Sequence, residues 1–238
     1  MSWRLSDDER DRLEVEGYLV RHDVFAGDEV SAIVTACEEL VDRVVADRVG
    51  TRLTMGSYVF EPAPVAEATI KWEGDSDVVH GIEPFVHLSP ELERWAHDAR
   101  FTEPMIDLVD DADPQLFTEK LNLKRAGHGG ANPLHQDYPY WVDPAARPDR
   151  LATAILFLDD ATIENGCLEV PPGSHRDGVW RTRRDGAGAL VMFGPLLVHR
   201  SAPNTSEADR RALLYTYQPA GLHHMLDHLR SLLGTAPG

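Results

Sequence analysis

Apolar residues recur at helical steps through the first half of the chain and gather into short runs in the second. Ser6-Asp7-Asp8-Glu9 has the form of a capping box, in which the first and last residues each bond the other's backbone N–H. It predicts a short helix that Gly17 stops, followed by a strand at Tyr18-Leu19-Val20. From Asp28 to Arg48, Val30, Ile33, Val34, Cys37, Leu40, Val41, Val44 and Val45 are spaced three and four apart, which predicts an amphipathic helix ending before Gly50. Ser89-Pro90 opens another helix, and Thr102 is placed to cap a third containing Met105, Ile106 and Leu108.

After residue 114 the period changes. Runs at 116–124, 151–158, 167–170, 189–193, 196–199 and 212–218 are apolar or β-branched and lie between turn signals, which predicts strands, and 222–233 reads as a closing helix. Helices first and many short strands later imply a mainly β fold with helices. The expected core is a double-stranded β-helix, the cupin-like jelly roll, with the N-terminal helices packed on one sheet. No linker composition divides the chain, so residues 1–238 are expected to form one domain, with helical support over about 1–113 and the jelly-roll core over about 114–220.

Charge narrows the partners. Forty acidic residues against 23 basic give a formal charge of −17, which repels a phosphate backbone and speaks against nucleic acid. The one basic stretch, Arg176 to Arg184, reads as a solvated loop or as a local offset at a cavity mouth. No apolar run approaches the roughly 20 residues of a membrane span, and the N-terminus is charged from the start. The expectation is a cytoplasmic enzyme acting on a small molecule. Cys37 and Cys167 lie far apart and form neither a disulfide framework nor a thiolate metal site.

The candidate chemistry begins at His135-Gln136-Asp137. On an extended backbone residues i and i+2 share a face, so one strand end can offer an imidazole and a carboxylate together. His199, at the end of the run Pro195-Leu196-Leu197-Val198, is the candidate third ligand. Two histidines and one carboxylate would leave positions open on iron(II) for co-substrate and oxygen. The pattern is not unique, because His175-Arg176-Asp177 repeats it within a Pro/Gly turn. Eleven residues after His199 stands Arg210, whose guanidinium can clamp one end of a dicarboxylate while the other end chelates the metal. Arg211 is its rival, although neighbours on a strand face opposite ways. His224 and His228 lie one helical turn apart but show no third ligand, and with His223 they read as residues of an exposed helix.

These features together resemble the phytanoyl-CoA dioxygenase family of iron(II)- and 2-oxoglutarate-dependent oxygenases. The resemblance runs from about Lys120 to Gly221, through His135-Gln-Asp137, Asn165-Gly-Cys-Leu168, Pro172-Gly-Ser-His175, and His199 with Arg210. It implies iron(II), 2-oxoglutarate and O₂ as the reacting set. It also implies that Ser201 assists Arg210, that Thr153 lies near the 2-oxoglutarate carboxylate, and that Lys120 is a basic residue near the site. The segment Leu121-Asn122-Leu123-Lys124 is similar to that of ectoine hydroxylase, which implies substrate contacts at Trp141 and its neighbours Tyr138 and Tyr140; a packed hydrophobic lip is the other reading of those rings. Asp137 distinguishes the chain from halogenases of the family, which lack the metal carboxylate. The implied reaction is hydroxylation of an unactivated C–H bond of an amino acid or secondary-metabolite intermediate. A cupin-like metal-binding protein, or a metal-dependent isomerase or hydrolase that does not use 2-oxoglutarate, remains the alternative.

Overall fold

Ser6 and Glu9 make the reciprocal bonds of a capping box, and α1 (Asp7–Glu16) starts there. It ends at Gly17, whose φ of +85° suits glycine and whose Cα lies so close to the His175 ring that a β-carbon would overlap it. The computed structural model describes residues 2–55, 58–176, 181–182 and 187–233. α2 (Gly27–Ala46) buries Val30, Ile33, Cys37, Leu40, Val41 and Val44, the stripe expected from the sequence. α3 (Pro90–Ala96) begins at Ser89, whose hydroxyl accepts the Leu92 N–H. α4 (Ala99–Val109) begins four residues earlier than a cap at Thr102 would place it. Asp98 is the cap, and Thr102 instead bonds back to the Asp98 carbonyl from within the first turn.

The strands are β1 (Tyr18–Arg21), β2 (Leu53–Met55), β3 (Tyr58–Ala63), β4 (Ala68–Trp72), β5 (Val79–Glu83), β6 (Gln115–Lys124), β7 (Asn132–His135), β8 (Ala152–Phe157), β9 (Leu168–Val170), β10 (Arg181–Thr182), β11 (Leu190–Phe193), β12 (His199–Ser201) and β13 (Arg210–Gln218). Among the described residues they form a nine-stranded sheet in the order β1-β11-β8-β13-β6-β5-β4-β3-β2 and a four-stranded sheet in the order β10-β9-β12-β7. The architecture is the expected mainly β, cupin-like one, with helices against the outer face of the large sheet.

Two expectations change. The first half of the chain is not helical alone: β2 to β5 lengthen the large sheet through the pairing of β5 with β6. Their alternation is blurred in sequence because Pro62 and Pro64 interrupt it and because both faces are covered, one by the core and one by the cavity described below. Leu196 and Leu197 lie in a turn, and the strand expected at 196–199 starts only at His199.

Period-two alternation on β13 sorts its two faces. Leu213, Tyr215 and Tyr217 enter the main core, where the two tyrosine hydroxyls donate to the Leu92 and Ala96 carbonyls at 2.8 and 2.6 Å. Arg210, Ala212, Leu214 and Thr216 face the space between the sheets. A second apolar cluster, containing Ile155, Phe157, Val191, Phe193 and Leu197, closes one end of that space. The closing helix α6 (Met225–Leu233) is tied down by His224, whose Nε2 lies 2.9 Å from Glu119 Oε2. Glu119 also accepts the N–H groups of Phe85 and Val86 at 2.6 and 2.7 Å, so His224 is an anchor. No helix among the described residues is long and apolar enough to cross a membrane.

Candidate metal centre and its cavity

Strand register places the two imidazoles. β7 and β12 run antiparallel with His135 directly opposite His199, and their ring centroids are 4.2 Å apart. His135 Nδ1 lies 2.8 Å from the Pro133 carbonyl and His199 Nδ1 lies 3.1 Å from the Leu197 carbonyl. A carbonyl only accepts, so each Nδ1 carries the proton and each Nε2 keeps its lone pair for a ligand. Both lone pairs converge on Asp137, whose Oδ1 is 3.4 Å from His135 Nε2 and 3.9 Å from His199 Nε2. The three donor atoms lie within 4.8 Å of one another, close enough to share a metal ion.

Asp137 reaches this point by a route other than a shared strand face. β7 stops at His135, and Asp137 has the helical angles φ −74° and ψ −29° just before α5 (Tyr138–Trp141). The turn is held to the loop before β12: Gln136 Nε2 donates to the Leu196 carbonyl at 2.6 Å, and the Tyr138 N–H donates to Pro195 at 3.0 Å. Gln136 carried no signal in the sequence beyond its place between two candidate ligands.

The electrostatics suit a cation. Burial pushes His199 toward the neutral imidazole that metals bind. Burial opposes the charge of Asp137, but His135, His199 and Lys120 outweigh it and hold the carboxyl below its ordinary range.

Arg210 is buried at the start of β13 and lines the same cavity, of about 270 Å³. Nη2 donates to the Gly166 carbonyl at 2.8 Å, while the buried Nε has no partner among the described residues. Burial lowers the guanidinium to about 10. Gly166, at φ +74°, is confined beside the Ala202 carbonyl and Lys124, where a β-carbon would overlap the carbonyl. Lys124, the ladder partner of Arg210, donates to the carbonyls of Gly130 and Ala202; burial and then Arg210 push it down to about 7. Arg211 points away and binds Asp159 and Glu38 on the other face.

Ser201 is buried and lines the cavity two residues beyond His199. Behind it runs a chain invisible in sequence: Ser201 Oγ is 3.2 Å from Asn132 Nδ2, Asn132 Oδ1 is 3.2 Å from His80 Nε2, and His80 Nδ1 is 2.7 Å from Glu73 Oε1. Thr153 also lines the cavity. Its hydroxyl is 3.0 Å from that of Thr216. Thr216 is six residues along β13 from Arg210, roughly 20 Å at strand rise, so the two do not grip one carboxylate of a five-carbon diacid. Lys120 lines the cavity and pairs with Glu83 at 3.1 Å.

The aromatic cluster divides. Trp141 lines the cavity but is buried edge-on against Phe117, with centroids 6.0 Å apart. Tyr140 is 60% exposed at the mouth, 5.9 Å from the His135 ring, whereas Tyr138 is not among the cavity-lining residues. The second HxD pattern lies apart: His175 Nε2 meets the Glu14 carbonyl at 3.0 Å, and Asp177 is outside the described residues, as is most of the stretch Arg176–Arg184.

A partly buried three-donor face and a guanidinium with a spare donor therefore fit a metal and a chelating dicarboxylate. Comparison with known proteins agrees. L-proline trans-4-hydroxylase of Streptomyces griseoviridis is 32% identical over 189 residues, covering 61% of this chain and 69% of that protein. Ectoine dioxygenase of Sphingopyxis alaskensis is 29% identical over 163 residues, covering 68% of this chain and 47% of that protein. The crystal structure of EctD from S. alaskensis with 2-oxoglutarate and 5-hydroxyectoine superposes with a TM-score of 0.75 at 23% identity, covering 90% of this chain and 76% of that one. The sequence profile described as Phytanoyl-CoA dioxygenase (PhyH) matches residues 13–212, and the chain belongs to that family of iron(II)- and 2-oxoglutarate-dependent oxygenases.

Proposed function

We propose that this chain hydroxylates an unactivated C–H bond of a small organic molecule, with His135, Asp137 and His199 holding iron(II) and Arg210 holding the distal carboxylate of 2-oxoglutarate. The observation that carries this reading is the buried guanidinium whose Nε has no partner among the described residues, in the same cavity as three converging donor atoms. A metal-binding protein without a dicarboxylate gives no reason for such a group, since an uncompensated buried cation is costly.

When bound, iron and 2-oxoglutarate supply the oxidising power, taking up O₂, releasing succinate and CO₂ and leaving a hydroxyl on the substrate. The protein's part is to bind, orient and dry. The carbonyls of Pro133 and Leu197 fix the two histidine tautomers, and Gln136 fixes the turn that presents Asp137. Ser201, held by Asn132, offers its hydroxyl beside Arg210's end of the cavity. Ile155, Phe157 and Leu214 give the reacting space an apolar wall that excludes water.

The cavity's size favours a compact substrate over a coenzyme A thioester. The similarity to a proline hydroxylase and an ectoine dioxygenase supports the same class. The test is an anaerobic titration of the protein with Fe(II) and then 2-oxoglutarate. A visible charge-transfer band is expected on the second addition only, followed by succinate when air is admitted. Metal binding with no band and no succinate would sink the reading.

A further inference from the structure

On a chain with a formal charge of −17, the wall facing the triad gathers cations. β4 buries Ile70 and Trp72 in the core and turns Lys71 into the cavity. The Lys71 ammonium lies 3.7 Å from the centre of the Tyr58 ring. Among the described residues it has no hydrogen bond and no carboxylate at ion-pair distance. The nearby Glu73 is bonded to His80. Lys120, two strands away on β6, is 3.1 Å from Glu83 Oε2, and the other oxygen of Glu83 accepts from Thr118 at 2.9 Å. Lys71 thus has no direct ion-pair partner among the described residues, its nearby carboxylates Glu73 and Glu83 being bonded to His80 and to Lys120 and Thr118. An aromatic face offsets part of the cost of such a cation, and an anion would offset the rest.

The wall also has room for one. Gly81 on β5 sits beside Lys71 in the ladder, with Asn122 of β6 on its other side. A β-carbon on Gly81 would come within 2.7 Å of the Leu121 carbonyl, so β5 carries no side chain at the position beside Lys71. This notch is remote from the place assigned to the co-substrate: β4 is three strands from β13, roughly 14 Å between backbones at sheet spacing.

We infer that Lys71, with Lys120 beside it, binds a carboxylate or similar oxyanion of the organic substrate, so that the substrate is a small acid held by its anionic group on β4 to β6 with its reacting C–H bond toward the triad. This rests on the oxygenase reading above. Glu83 keeps Lys120 in place and shapes the notch. Lys71 is lowered to about 8 by burial and then by Lys120, so it is still largely charged at neutral pH and gains from an anion.

The test uses the full chain loaded with Fe(II) and 2-oxoglutarate under anaerobic conditions, with calorimetric titration of L-proline, L-valine, L-leucine and L-phenylalanine, each against its carboxamide. At least one acid is expected to bind, with its amide about tenfold weaker or worse. Lys71→Met is expected to lose about tenfold or more in affinity for that acid, with 2-oxoglutarate affinity changed by less than about twofold and Lys71→Arg retaining binding. Acids and amides binding alike, no acid binding, or Lys71→Met weakening 2-oxoglutarate instead would each overturn the inference; thermal melts of both variants show whether they are folded. Failure of the oxygenase reading has its own signature, because wild-type protein would then show no charge-transfer band whichever acids it bound.

Discussion

The two sides of the cavity are built on different principles. On the small sheet, each histidine is fixed by a carbonyl two residues upstream and faces the other across the ladder. On the large sheet, Tyr58, Lys71, Glu83 and Lys120 come from four strands, and Lys71 has no carboxylate at ion-pair distance among the described residues. Reaction machinery that must be held to fractions of an ångström is local and satisfied; recognition is distributed and left incomplete until a ligand arrives.

The most severe way to separate the sides is Asp137→Ala. It removes the one carboxylate that meets both imidazoles among the described residues and leaves two rings 4.2 Å apart. Loss of an outer-shell partner typically costs about 10–100-fold in metal affinity, so loss of a ligand is expected to cost succinate formation on the order of 10³-fold or more. Thermal stability of the metal-free protein should change little. Turnover surviving in this variant would place the metal elsewhere.

Arg210→Lys is the next step down. It keeps a cation but loses the planar fork and the Nη2 bond to Gly166. Affinity for 2-oxoglutarate, read from the charge-transfer band, is expected to fall about 10–100-fold, with little change for the organic acid. A fall in both affinities by the same factor would show that the two sides of the cavity are not separable.

The same contrast explains what the sequence made legible. Helices α1 and α2 could be read because capping and a helical stripe are local signals, and β6, β8, β11 and β13 because their apolar runs are dense. His135 and Asp137 announced themselves as a pair, but their convergence depends on a turn pinned by Gln136, and that of His199 on a ladder spanning 64 positions of chain; neither is written in spacing. The far wall was missed for a physical reason. Lys71 on β4 has the alternation of a solvent-facing residue, and only the closed geometry of the sheet turns its polar face inward. Glu73, His80 and Asn132 are in contact through folding alone, so no local pattern could have joined them to Ser201.

The smallest effect tests whether the far wall stands independently. Glu61 on β3 is 1% exposed and faces away from the cavity. Its Oε1 accepts the Gly50 N–H at 2.6 Å, and its Oε2 accepts from Trp72 Nε1 at 3.0 Å and from Arg52 Nε at 3.4 Å, with the Arg52 guanidinium stacked 4.4 Å above the Trp72 ring. Every partner of this carboxyl is a donor. In Glu61→Gln the amide can serve only one side and confronts the other donors with its own N–H groups. The expected cost is about 1–2 kcal/mol, or a fall in Tm of about 2–8 °C for a chain of this size. The damage lies behind Tyr58 and Phe60, where a small packing shift moves the wall without removing a contact to the ligand, so the organic substrate's KM should rise about threefold or less. The 2-oxoglutarate affinity should stay at its wild-type value. If it fell together with substrate affinity, the wall would be mechanically coupled to the metal end, and the division between satisfied machinery and open recognition would hold for the charges but not for the packing.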